Sequence, residues 1–176
     1  SPLKNWSTPK LTDTSRMFAG CDKLKFADLS NWDLSSNGRN VHMNKMFLTS
    51  GSTPLLVIAK DEKFSEYNYA GDNRTPVGPT FDANGGKFPE STDGEEETGI
   101  STQAEGEPAS GESEIKQGKT TNWLANNTTA VDEFINTAIE QPTRDDGLVF
   151  CGWEVQDPTE NPNAYDRMTA TYKAKW

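Results

Sequence analysis

The stretch Leu11-Thr-Asp-Thr-Ser-Arg16-Met17-Phe18-Ala-Gly-Cys21-Asp-Lys-Leu24, followed by Ala27-Asp28-Leu29-Ser30-Asn31-Trp32-Asp33, belongs to an internal echo. Leu3-Lys4-Asn5-Trp6 recurs as Leu29-Ser30-Asn31-Trp32, a shift of 26, and Arg16-Met17-Phe18 recurs as Lys45-Met46-Phe47, a shift of 29. The second unit therefore carries about three extra residues near Asn37-Gly38. A period of roughly 20–30 residues with fixed apolar positions is the mark of a solenoid, whose units cannot cover their apolar faces alone. The spacing predicts a short strand near Ala27-Asp28-Leu29, a polar turn, and a short helix holding each Met-Phe pair. Met17, Phe18, Leu24, Phe26 and Leu29 are expected to point inward. The apolar run Leu55-Leu56-Val57-Ile58 is expected to be the last strand, closing the solenoid.

The same residues carry a resemblance. From about residue 3 to 60 the chain resembles the BspA-like leucine-rich repeats of bacterial surface proteins and lipoproteins. It departs where Gly38-Arg39-Asn40 is inserted and where Ser50-Gly51 stands in place of a usual Cys. The resemblance implies a right-handed stack, with further repeats of a longer parent lying before Ser1. It also implies that Cys21 is a small buried apolar residue, the usual fate of a free Cys.

A second signature begins after Asp61–Pro79, a polar stretch broken by Gly71, Pro76, Gly78 and Pro79 that reads as a linker. Thr80-Phe81-Asp82-Ala83-Asn84-Gly85-Gly86 reads as a strand running into an Asn-Gly turn. Far downstream come Pro142-Thr-Arg-Asp-Asp-Gly147-Leu-Val-Phe150-Cys151-Gly152-Trp153 and Thr169-Ala-Thr-Tyr172-Lys-Ala-Lys-Trp176. The three blocks together resemble the Listeria–Bacteroides repeat, the B-repeat type of internalin-like surface proteins. That resemblance implies a small β-grasp-like sheet with Phe81, Phe150, Trp153, Tyr172 and Trp176 in its core. Period-two alternation pairs the last two blocks as strands, and with apolar residues on both faces the Phe150–Trp153 strand is expected to be central. Between the blocks, Val131, Phe134, Ile135, Ala138 and Ile139 follow helical spacing; Thr129 is placed to cap and Pro142 to stop the helix.

The expected fold is therefore α+β: the end of a leucine-rich-repeat solenoid over 1–60, a linker over 61–79, and a β-grasp-like domain with one helix over 80–176. An acidic insertion interrupts that domain at about 90–118. Residues 90–115 hold nine acids and no base, and the remaining chain accounts for only −1 of the net charge of −10. With Ile100 and Ile115 as its sole large apolar residues, the insertion is read as a mobile loop, since it buries too little to offset ordering entropy. A cation-attracting role is the other reading, although the spacing of a calcium loop is lacking. The 176 residues are 32% hydrophobic, and Lys+Arg 17 against Asp+Glu 27 is a poor balance for neutralising phosphates, so a nucleic-acid partner is not expected. No run approaches the roughly 18 apolar residues of a membrane span.

Chemistry is sparse. One His (His42) and two Cys (Cys21, Cys151) leave no zinc-site spacing. Asp28 and Asp33 flank Trp32 as a carboxylate pair, but in a repeat turn they are read as bonding turn amides. Asp82 and Asn84 are read as turn residues. A Cys21–Cys151 disulfide is left open. No catalytic, cofactor-binding or metal-ligating residue is proposed, and the chain is not expected to be an enzyme. Trp6 and Trp32 occupy equivalent repeat positions and form the candidate binding surface, either as a buried ladder or as an exposed platform for a glycan or protein. Ser1-Pro2 begins no signal peptide, and the chain is expected to be a piece of a longer one. The two resemblances imply a secreted or cell-surface bacterial adhesion module for host extracellular protein or glycan, or a structural spacer in such a protein.

Overall fold

The computed structural model describes residues 2–33, 41–60, 74–90, 113–125 and 128–176. Its strands, in chain order, are β1 (Phe26–Leu29), β2 (Thr53–Pro54), β3 (Leu56–Ala59), β4 (Arg74–Thr75), β5 (Thr80–Asp82), β6 (Ile115–Gln117), β7 (Trp123–Ala125), β8 (Gly152–Val155) and β9 (Thr171–Lys175). Two helices accompany them, α1 (Thr128–Thr137) and α2 (Ala164–Met168).

The Met-Phe echo becomes two coils of chain laid on one another. The N–H groups of Thr14, Arg16, Phe18 and Gly20 donate to the carbonyls of His42, Asn44, Met46 and Leu48 at 2.7–3.1 Å. Arg16 and Lys45, equivalent in the echo, both hold positive φ, 58° and 54°. That is uncommon for a non-glycine residue, so finding it at both positions ties the two turns to one backbone path. β1 then pairs in parallel with β3, from Phe26↔Leu56 to Leu29↔Ala59, and β3 pairs in parallel with β7, Val57↔Trp123 to Ala59↔Ala125.

β3 is buried along its whole length, which explains why it reads as an unbroken apolar run. Alternation divides its side chains between two cores. Val57 and Ala59, with Leu55 just before the strand, pack with Ala27, Leu29, Trp32, Met46 and Phe47. Leu56 and Ile58 pack with Val77, Phe81, Leu124, Val131, Ile135, Met168 and Tyr172. The second set draws on both sides of residues 61–79, so β3 is a wall common to the coils and to the C-terminal half of the chain.

The chain beyond Pro79 forms a mixed sheet in the order β6-β5-β9-β8. β5 and β9 run parallel at its centre, with antiparallel β6 and β8 outside them. In β9 Tyr172 and Ala174 are buried and Lys175 is exposed, as period two requires. α1 sets Val131 and Ile135 into the core with Phe134 packed beside them, and Ala138 and Ile139 join the same core just after the helix. The helix starts at Thr128 and ends at Thr137, rather than being capped by Thr129 and running on to Pro142. α2 opens with a capping box: Asp166 N donates to Asn163 Oδ1 at 3.1 Å and Asn163 N to Asp166 Oδ2 at 3.0 Å. An Arg167–Asp132 ion pair ties the two helices together.

Arg74 joins the layers. Its buried guanidinium donates to Phe47 O (2.9 Å), Leu24 O (3.0 Å), Cys21 O (2.9 Å) and Thr53 Oγ1 (2.7 Å). Its backbone lies in β4, paired in parallel with β2. One side chain thus satisfies carbonyls of both coils that burial would otherwise leave costly.

This arrangement corrects the expected fold class. In place of a solenoid end followed by a β-grasp-like domain with one helix, the described residues form short strands in three small sheets, two of them parallel and one mixed, with two helices. β3 does not close its sheet, because β7 adds a third strand from far along the chain. Turns, not helices, carry Met17-Phe18 and Met46-Phe47. Met17 is 40% exposed, since the turn directs it outward while Phe18 stacks on buried Phe47. Cys21 is exposed rather than buried, and neither Cys is in a disulfide. β8 is an edge strand, with β9 taking the centre beside it. The acidic insertion falls outside the described residues over 91–112, as does the insertion at 38–40.

Candidate interaction surface

The sequence echo matches Trp6 with Trp32, and the fold brings the two together. Trp6 lies flat on Trp32, with ring centroids 5.7 Å apart and planes inclined by 13°. Trp32 is 2% exposed and Trp6 is 51% exposed. A single carbonyl sets both: Leu3 O accepts from Trp32 Nε1 at 2.8 Å and from Trp6 N at 3.1 Å. Leu3 belongs to a short 3-10 turn, Pro2–Asn5, that precedes Trp6. Inward from Trp32 the rings continue through Phe18 (6.4 Å) to Phe47 (a further 5.4 Å, stacked). Offset and tilted rings at these separations attract beyond their buried area. The Trp pair is thus core at one end and surface at the other.

The charged residues around the stack have structural roles. Asp28 Oδ1 accepts from Ser30 N at 3.0 Å and its other oxygen lies 3.8 Å from Lys4 Nζ. Asp33 N donates to Thr8 Oγ1 at 3.0 Å. The Asp28 carboxylate therefore serves a turn amide and an ion pair, while Asp33 is tied to Thr8 through its backbone. His42 is exposed, and its backbone bridges Asp13 in the adjoining coil. Hydrogen bonds from Ser15 hold the Asp13 carboxyl below the usual carboxylate range, with His42 adding a smaller pull.

A second apolar surface lies before β8. Leu148 is half exposed and Val149 is 74% exposed, and Cys151 beside them is also open to solvent. The loop is fixed by Asp146, whose carboxylate accepts from Leu148 N at 3.2 Å and pairs with Arg144. That guanidinium bond is the main reason the Asp146 carboxyl sits below its ordinary range. Arg144 also lies over the Trp176 ring, 5.4 Å from its centre.

Under the sheet, Phe81, Phe88, Phe150, Trp153 and Tyr172 form a continuous set of ring contacts with centroids 4.7–6.3 Å apart. Burial is the chief cause that raises the Tyr172 phenol above its ordinary pKa. Asp82 is buried and serves the Asn-Gly turn: Oδ1 accepts from Asn84 N at 2.7 Å and from Ser113 Oγ, and Oδ2 from Gln156 Nε2 at 3.3 Å. Among the described residues no group of three or more His, Cys, Asp or Glu side chains is placed to hold a metal ion. Nor is any helix among them long and apolar enough to cross a membrane.

Sequence reasoning missed Arg74 and Arg144. Arg74 sits in a stretch whose Gly and Pro content signals a linker, and nothing local marks a charge that will be buried. No protein-family model matches the chain, and neither a curated protein nor a solved structure matches it.

Proposed function

We propose that this chain is a non-enzymatic interaction module of a secreted or cell-surface bacterial protein, binding an extracellular protein or glycan. The observation that carries the reading is the Trp6 ring, half open to solvent while its other face is held by buried Trp32. A ring fixed in this way loses little freedom on binding, and exposed aromatics present a large contact area for that entropy cost. The resemblances to BspA-like and Listeria–Bacteroides repeats support the surface location and the adhesive role. Binding of the purified protein to immobilised glycans, mucin and matrix proteins tests the reading. Trp6→Ala is expected to weaken binding by about tenfold or more, the loss of roughly 1.4 kcal/mol that marks a contributing interface residue. Binding that Trp6→Ala leaves unchanged overturns the assignment of the surface. Absence of binding to every ligand class favours a structural spacer instead.

A further inference from the structure

Asn84-Gly85 is the pair of residues whose chemistry the fold most visibly restrains. Both hold positive φ, 48° and 82°, and Gly86 N donates to Ala83 O at 2.9 Å, closing a tight turn of the kind that suits Asn-Gly. The turn holds Asn84 through its backbone and its side chain alike. Its N–H is taken by Asp82 at 2.7 Å, and its side-chain amide donates to Ala174 O in β9 at 2.9 Å. Its carbonyl accepts from Trp176 Nε1 at 3.0 Å and Arg144 Nη1 at 3.2 Å. The Trp176 ring lies so close that a Cβ on Gly86 would stand 2.5 Å from it.

In an unrestrained chain an Asn-Gly pair deamidates. The Gly nitrogen attacks the Asn side-chain carbonyl carbon, forming a C–N bond. The bond to the side-chain nitrogen breaks, and ammonia leaves with the proton from the Gly amide. Water then opens the five-membered imide at either carbonyl, giving Asp or isoaspartate. The reaction needs the side-chain amide free to swing over the following nitrogen, and here that amide is pinned to β9.

We propose that Asn84-Gly85 is a latent deamidation site gated by β9 and Trp176. It is closed while they hold the turn, reacts when they release it, and is then unable to close again. Closure fails because the product carboxylate has no proton to donate to Ala174 O and lies two residues from buried Asp82, where like charges repel. An isoaspartate product also lengthens the turn backbone. Each molecule that opens long enough to react is thereby marked irreversibly.

Peptide mapping with isoaspartate detection tests this on the whole protein, incubated at mildly alkaline pH with and without urea. Conversion at Asn84 is expected to be at least about tenfold slower in the native protein than in urea, because reaction waits on local opening. Trp176→Phe keeps a ring but removes the indole donor, and it is expected to speed native conversion severalfold while leaving the urea rate unchanged. Separately, Asn84→Asp is expected to accelerate hydrogen exchange of the Lys173–Lys175 amides. A native rate equal to that in urea overturns the gate whatever the variants do. A Trp176→Phe protein that folds and reacts at the wild-type rate overturns the role of Trp176, and unchanged β9 exchange in Asn84→Asp overturns the claim that the turn cannot close again.

Discussion

In the coils, neighbouring strands run parallel and the backbone bonds between them join residues 20 or more apart, whereas the four-stranded sheet is mixed and its outer pairs are antiparallel. Parallel strands need long crossovers, so each coil of the first region must find its partner across an intervening stretch of chain. That region is then clasped by a polar side chain, Arg74, reaching three carbonyls and a hydroxyl. The second region relies on contacts among aromatic rings around Phe81 and Trp153, whereas the coils add the Arg74 clasp to rings of their own, Trp32, Phe18 and Phe47. Two different solutions to the same burial problem meet on opposite faces of β3. The comparison teaches that a strand buried on both faces joins regions whose local signatures look independent.

Removing the clasp is the most damaging way to probe this contrast. Arg74→Met keeps a long apolar stem but leaves buried carbonyls without a donor, at a cost on the order of 3 kcal/mol or more. Urea unfolding followed by circular dichroism measures it, and a loss below about 1 kcal/mol would place the coils' stability elsewhere. In the sheet region the matching probe is Gly86→Ala. Its added methyl meets the Trp176 ring and Thr143 O, at 2.5 and 2.7 Å, so the Asn-Gly turn or the ring must shift. An overpacking cost of about 1–3 kcal/mol is expected, with a change in near-ultraviolet signal from the displaced indole.

The smallest effect concerns Asp146. Its folded carboxyl is held low by Arg144, so its contribution to stability is present above the unfolded-state pKa and is lost as pH falls through the lower, folded value. Because the carboxyl is exposed, Asp146→Asn should shift Tm only slightly at neutral pH, and acid titration of Tm should show a shallower fall than wild type. An identical acid limb in the variant would mean that the Arg144 pair adds nothing to the fold.

How much of this was legible in the sequence depends on how far away each residue's partner lies. Ala27–Leu29 and the Leu55–Ile58 run read as strands because alternation and unbroken hydrophobicity are local signals. The helix around Val131 and Ile135 was legible because the apolar stripe recurs at helical spacing. The stripe runs on through Ala138 and Ile139, past the end of the helix at Thr137, so its end was not. Asn84-Gly85 read as a turn because the dipeptide accommodates positive φ. By contrast β7 is three residues whose partner, β3, lies more than sixty positions earlier, and no local pattern points to it. α2, at five residues, is shorter than the window over which periodicity shows, and only its capping box could have signalled it. The echo matched Trp6 with Trp32, yet could not tell that Trp6 reaches solvent while Trp32 does not. Met17 read as inward for a similar reason, since equivalence to buried Met46 does not extend to an outer coil with nothing stacked beyond it among the described residues.

Native-state hydrogen exchange in increasing urea tests most directly whether β3 makes the coils and the four-stranded sheet one cooperative unit. Amides of β1 and β3 are to be followed beside those of β5 and β9. If the shared wall governs stability, their opening free energies converge on a single global transition with one urea dependence. If the amides of β5 and β9 instead merge into an opening of their own at lower urea while β1 and β3 stay protected, the two regions are separate folding units and β3 does not unite them.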